Sequence, residues 1–193
     1  MSQGEPVIRP GAIMLTLLFM GISTLFAGLC AAYLYTIISG GIEAPRPPLP
    51  FLINIAVLIA ATYFLKGSYK AYTAHTHPAF RTLLWICLFL TFTFVALQIL
   101  GWIQFFQEIP MNATQARSFL FVLSALHMLH VLAGVPLLGW FMWKTHNRID
   151  DILLPLQKYR GFLRGLVRYW NFLDILWILL IAVLSIGFGL KWL

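Results

Sequence analysis

The 193-residue chain is 61% hydrophobic and only 10% charged, too little charge to wet the surface of a soluble domain of this size. Its apolar residues come in blocks longer than soluble core helices need, which points to an all-α, polytopic membrane protein. The formal charge of +7 sits in short connections between those blocks, a pattern of membrane topology rather than of nucleic-acid binding.

The opening "MSQGEPVIRPG" is acidic and proline-marked, unlike the basic start of a signal peptide, so the first apolar block reads as a retained span. A spanning helix needs about 20 mostly apolar residues. Five blocks meet that length, at about 12–39, 51–72, 81–107, 117–143 and 167–192, within one membrane domain covering 1–193. The first ends at "GGIEAPRPPLP", whose glycines and prolines stop a helix. The second is free of charge only to Leu65, so Lys66 and Lys70 must snorkel to the interface. Arg9, Lys66, Lys70, Arg81, Lys144, Arg148, Lys158, Arg160, Arg164 and Arg168 fall on one side; Arg46, Arg117 and Lys191 fall on the other. That imbalance puts the N-terminus inside and the C-terminus outside.

Within the first span, Gly21, Thr24, Gly28 and Ala32 share a face and form a small-residue stripe suited to close helix packing, inside the chain or against a partner. Cys30 and Cys87 lie in different spans without a CxxC motif and read as buried thiols. Trp102, Trp140, Trp143, Trp170 and Trp192 lie near predicted span ends and read mostly as interfacial anchors. The third span carries a lone amide, Gln98, suited to a hydrogen bond between helices. At the inner surface, "AHTHP" (74–78) and His146 could collect protons, although a solvated loop explains them as simply.

The fourth span holds "SALHMLH" (124–130), which sets His127 and His130 at i, i+3. His127 lies ten residues past Arg117, about 15 Å along a helix and near mid-membrane. The pair could offer two imidazoles to a metal, but no third ligand is evident at that depth, so hydrogen bonding to a neighbouring helix or a lipid headgroup is the plainer reading. In the fifth span "YWNFLDILW" (169–177) places Trp170, Asp174 and Trp177 on one face with Asn171 beside Asp174. Asp174 reads as an interhelical clamp, with a proton-relay role as the alternative. Trp170, Trp177 and His127 are candidates for lipid-cleft or interhelical contacts. No Walker motif, nucleophile elbow or paired carboxylate is present, and no catalytic or metal-ligating residue is assigned.

The ordered segments "SFLFVLSALHMLHVLAG" (118–134), "RYWNFLDILWILL" (168–180), "RPG…LFAGLCAAYLY" (9–35), "LPFLIN" (49–54) and "FVALQILGW" (94–102) resemble subunit III of haem-copper terminal oxidases, in its short five-helix form. The resemblance covers nearly the whole chain and implies a non-catalytic subunit of a bacterial respiratory oxidase in the inner membrane. It would pack on the oxidase subunit I, which holds the haem and copper, with subunit II, a subunit IV and a larger respiratory supercomplex as further candidate partners. It would bind no cofactor itself but would hold phospholipid, and would support oxygen reduction coupled to proton pumping. Three positions depart from the family pattern: Ile22 and Gly101 stand where carboxylates are expected, and Asn171 replaces a histidine. An accessory protein of nitric oxide reductase shares many of these motifs, and a stand-alone small transporter is the reading from a different class.

Overall fold

Proline marks where three of the five helices begin. The computed structural model describes residues 10–40, 46–74, 76–108, 115–146 and 156–189, in which α1 runs Pro10–Gly40, α2 Leu49–Thr73, α3 His77–Glu108, α4 Gln115–His146 and α5 Leu156–Gly189. Pro50 and Pro78 are each the second residue of their helix, where a missing N–H removes no helical bond. Each helix is long and apolar enough to cross a membrane; the 25 residues of α2, the shortest, rise about 38 Å, more than a bilayer core of about 30 Å. Pro136 lies inside α4, an interruption that membrane helices tolerate where neighbours pack around it.

Only three residues separate α2 from α3. Ala74 N–H donates to Lys70 O at 2.9 Å and Thr76 N–H to Ala71 O at 3.0 Å, closing the last turn of α2 and leaving α3 to run back along it. This antiparallel hairpin is the most extensive helix pairing in the chain. Around it, α5 packs on α2, α4 and α1, while α3 touches α4, and α1 touches α4 and α5. Accordingly α5 is the most enclosed helix, with half of its spanning window buried, and α1 the least.

Spacing explains which residues go inside. On α2, Phe51, Asn54, Leu58, Ala61, Leu65 and Ser68 recur at three or four residues and are all buried. Lys66 and Lys70 are exposed on the outer side of the same helix, so the charges are placed as snorkelling requires.

The largest difference from the expected spans is at α5, which begins at Leu156, eleven residues before Val167. Counting apolar residues stops at the cationic cluster, but the helix does not. Arg160, Arg164 and Arg168 recur every fourth residue on an exposed face while Leu163 and Leu166 are buried on the other, an amphipathic helix running past the apolar block. Its start meets the end of α2: Arg160 Nε and Arg164 Nη2 donate to Tyr69 Oη at 3.3 and 3.1 Å. Lys66 and Lys70 of α2, Lys144 of α4 and Arg160, Arg164 and Arg168 of α5 thus gather at one end of the bundle, and Arg117 lies at the other end of α4. Arg9, His75, Arg148, Lys191 and Trp192, used above for topology, surface histidines and anchoring, lie outside the described residues, as do the side chains of His77, His146 and Lys158.

Trp170 is not an interfacial anchor. It is fully buried, whereas Trp140 and Trp143 are exposed. The proximity of Arg168 in sequence suggested an interface, but one residue of helix turns a side chain by about 100°, and Trp170 turns inward.

Candidate functional site

Four helices meet around the indole of Trp177. From α5 its Nε1 donates to the Phe51 carbonyl in the first turn of α2 at 3.2 Å. Its ring meets Phe51 edge-on at 5.6 Å, Phe94 of α3 at 5.6 Å, and the imidazole of His127 of α4 at 4.9 Å. Phe94 closes the group by meeting His127 at 5.8 Å. All four side chains are completely buried. One turn along α3 from Phe94, Gln98 Oε1 accepts from Asn54 Nδ2 of α2 at 3.3 Å, and the same amide lies 3.4 Å from the Phe94 carbonyl. Gln98 therefore makes the bond between helices that its isolation suggested.

Glycine makes this core possible at two points. A Cβ on Gly101 would lie 2.5 Å from Cε1 of Phe51, and one on Gly134 would lie 2.8 Å from Trp170 Cη2 and 3.0 Å from Tyr169 Cε1. These rings occupy the space a side chain would need. Neither glycine was assigned a role from sequence. Gly134 was visible only as the end of a motif, and its partner lies 36 residues away.

The two histidines separate. Three residues of helix rotate a side chain by about 300°, so i and i+3 diverge by about 60°. His127 enters the aromatic core, where neither ring nitrogen has a hydrogen-bond partner among the described residues. His130 is half-buried, its Nδ1 donates to Leu126 O of its own helix at 2.7 Å, and its ring edge faces Phe26 of α1 at 5.9 Å. The tie between helices at this level is instead made by backbone: Tyr169 Oη of α5 donates to the His130 carbonyl at 2.7 Å. Among the described residues, therefore, neither ring makes a hydrogen bond to a neighbouring helix, one of the two partners the plainer reading allowed.

Asp174 is 9% exposed, one turn before Trp177, with Thr62 and Lys66 of α2 as its polar neighbours and Cys87 of α3 within electrostatic reach. Asn171 is half-buried and donates to Val167 O of its own helix at 2.7 Å, so it clamps no neighbour. Among the described residues no three His, Cys, Asp or Glu side chains converge as a metal-ion site would require. Cys30 and Cys87 are free, buried thiols. The small-residue stripe of α1 points away from the bundle: Gly21, Thr24 and Gly28 are exposed, and no atom lies within 4 Å of where a Cβ on Gly21 or Gly28 would sit. The inward face of α1 is built from larger residues, Ile22, Phe26, Cys30, Tyr33 and Ile37.

The residues that converge in this core come from segments spread over most of the chain. Residues 14–187 match the family model described as cytochrome c oxidase subunit III. The chain belongs to the cytochrome c oxidase subunit III family. A relative from Thermostichus vulcanus, named cytochrome c oxidase subunit 3, is 26% identical over 172 residues, covering 85% of this chain and 81% of the relative. The chain is thus a multi-pass membrane protein of the subunit III family of haem-copper oxidases, the resemblance first carried by five short motifs.

Within that family framework, the three departures acquire physical surroundings. Ile22 is a buried residue on the inward face of α1, so a carboxylate there would enter the bundle. At Gly101 the ring of Phe51 already fills the place of a side chain. Asn171 satisfies its amide on its own helix. At the three positions where the resemblance implies ionisable groups, this chain has a buried apolar side chain, a glycine packed under a ring and an amide bonded to its own helix.

Proposed function

We propose that the chain is the non-catalytic subunit III of a bacterial respiratory haem-copper oxidase, seated against subunit I in the inner membrane with its N-terminus inside. Haem and copper would reside in the partner subunits, with subunit II receiving electrons. This chain would hold phospholipid and support oxygen reduction coupled to proton pumping. The observation that carries the reading is that the family match runs through all five helices and that the motif residues build their shared core. His127 and Trp177 act there as buried packing groups between helices. The Gly21, Thr24, Gly28 and Ala32 stripe of α1, exposed at its first three members and half-buried at Ala32, is the surface assigned to subunit I, because small residues let a second helix approach closely.

The test is purification of the tagged chain in mild detergent, with identification of co-purifying chains and an optical spectrum. A haem-copper oxidase subunit I should co-purify, and Gly28→Leu should reduce its recovery. Recovery of a nitric oxide reductase catalytic subunit, or of the chain alone, would overturn the assignment.

A further inference from the structure

At the end of the bundle away from the α2–α3 turn, α3 and α4 meet in rungs. On α4, Arg117, Phe121 and Ser124 share one face at i, i+4 and i+7. Ser124 Oγ accepts from Trp102 Nε1 of α3 at 2.9 Å. One turn on, the ring of Phe121 meets Trp102 at 5.2 Å and Phe106 at 5.4 Å. Arg117 stands where the next rung would be, but α3 ends at Glu108, two residues past Phe106. Phe119 turns the other way and meets Tyr33 of α1 at 6.4 Å. Arg117 therefore belongs to the α3 side of α4, away from the small-residue stripe.

Arg117 is at odds with its surroundings in three ways. The cations of α2 and α5, and Lys144 of α4, lie at the opposite end, so the bias that gathers cations on one side of a membrane does not account for it. It is the third residue of α4, where the helix dipole favours an anion and disfavours a cation. Its guanidinium is also folded against the protein: Nη1 is buried, with no hydrogen-bond partner among the described residues. An arginine that snorkels to lipid phosphates holds its head out in the interface; this one does not. A buried cationic N–H left unbonded is costly, and a carboxylate that accepts from it removes that cost.

We propose that Arg117 receives an aspartate or glutamate of a partner chain, whose neighbouring apolar residues pack on Phe106 and Ile103, 37% and 46% exposed. Charge complementarity selects the acid, and a guanidinium pairs with a carboxylate through two parallel hydrogen bonds. An arginine beside tryptophan and phenylalanine is also the composition of an interface hot spot. Within this chain Asp174 does not serve, since its polar neighbours are Thr62 and Lys66 toward the other end of the bundle.

The inference rests on assembly into a complex, as in the proposed function, but not on which chain is met. The full chain is purified in mild detergent with its partners, as wild type, Arg117→Gln and Arg117→Lys. Arg117→Gln should release one partner chain about tenfold faster on washing, as loss of a charge-assisted contact implies. In Arg117→Lys a zero-length carbodiimide should join the introduced amine to a carboxyl of that same partner, located by mass spectrometry. Thermal melting separates this from a role inside the chain: freed of partners, Arg117→Gln has lost an unbonded charge and should melt at or above the wild type. A lower melt with partner release unchanged would overturn the proposal, as would an amide formed to this chain's own Glu43 or Glu108. Loss of bound phospholipid without loss of a chain would overturn it in favour of a headgroup. Oxidase subunit I recovered, with every partner released equally from wild type and Arg117→Gln, would remove this inference alone. An amide to an acid of a partner that is not an oxidase chain would uphold it and remove only the proposed function.

Discussion

Gly101→Ala should destabilise the bundle although alanine is the better helix former. The new Cβ would stand 2.5 and 2.7 Å from Cε1 and Cδ1 of Phe51. Carbon atoms pack at about 3.5 Å or more, so the ring or the helix must move by about 1 Å. Phe51 is fully buried, its ring packs on Trp177, and its carbonyl receives the Trp177 indole, so the ring cannot withdraw without loosening three helices. Overpacking of this kind costs about 1–3 kcal/mol, against a helix-propensity gain of about 1 kcal/mol. The expected net loss is therefore up to about 2 kcal/mol. Gly28→Ala, with open space around its Cβ, keeps the propensity gain without the clash and serves as the control. Gly101→Glu should be worse, because a carboxylate would be forced against the same buried ring. Thermal unfolding of the purified chain in detergent, followed by tryptophan fluorescence, measures all three variants. The double variant Gly101→Ala with Phe51→Leu should recover part of the loss. If Gly101→Ala melts at or above Gly28→Ala, the Phe51 contact does not govern this site.

His127→Phe should leave stability within about 1.5 kcal/mol of the wild type, as volume-conserving core exchanges do, because neither imidazole nitrogen has a hydrogen-bond partner among the described residues. His127→Ala should lose about 2–5 kcal/mol through the cavity left beside Trp177. A His127→Phe protein as unstable as His127→Ala would mean that the nitrogens matter. Tyr169→Phe removes the bond to the His130 carbonyl and should cost about 0.5–1.5 kcal/mol in the same melt; no change would show the bond to be energetically idle. A double-mutant cycle between Asn54→Leu and Gln98→Leu should give a coupling of about 0.6–1.7 kcal/mol, and additive losses would contradict the direct contact.

The helices were legible because apolar length and an apolar period announce themselves in one dimension. The start of α5 was not, since its first three turns hide an apolar stripe among arginines. Gln98 was readable as a bond between helices because a lone amide in hydrocarbon needs a partner, but Asn54 could not be named as that partner from sequence. The i, i+3 histidines looked like one site because they are close in sequence. A 60° divergence is enough to send His127 to Trp177 and His130 to Phe26. The stripe of small residues on α1 reads in sequence as a single face, and Gly21, Thr24 and Gly28 are exposed there. What the sequence could not disclose was its direction, because outward and inward faces of a membrane helix are equally apolar. Gly101 and Gly134 are legible only beside Phe51 and Trp170, whose positions are set by the three-dimensional pairing of helices.

The contacts of α1 also carry a schedule. Among the described residues it packs on α4 and α5 and not on the α2–α3 hairpin that follows it. Its last residue, Gly40, and the start of α4 at Gln115 are separated by 75 positions. At a synthesis rate of about 5–20 residues per second, α1 would wait roughly 4–15 s before its first partner within the chain is made. The hairpin needs no such delay, since its two halves are adjacent. During that interval both faces of α1, the aromatic one and the glycine one, are open to whatever shares the bilayer with the nascent chain. A biogenesis factor or an already inserted partner subunit would find α1 most accessible then, before α4 and α5 close over Phe26 and Tyr33.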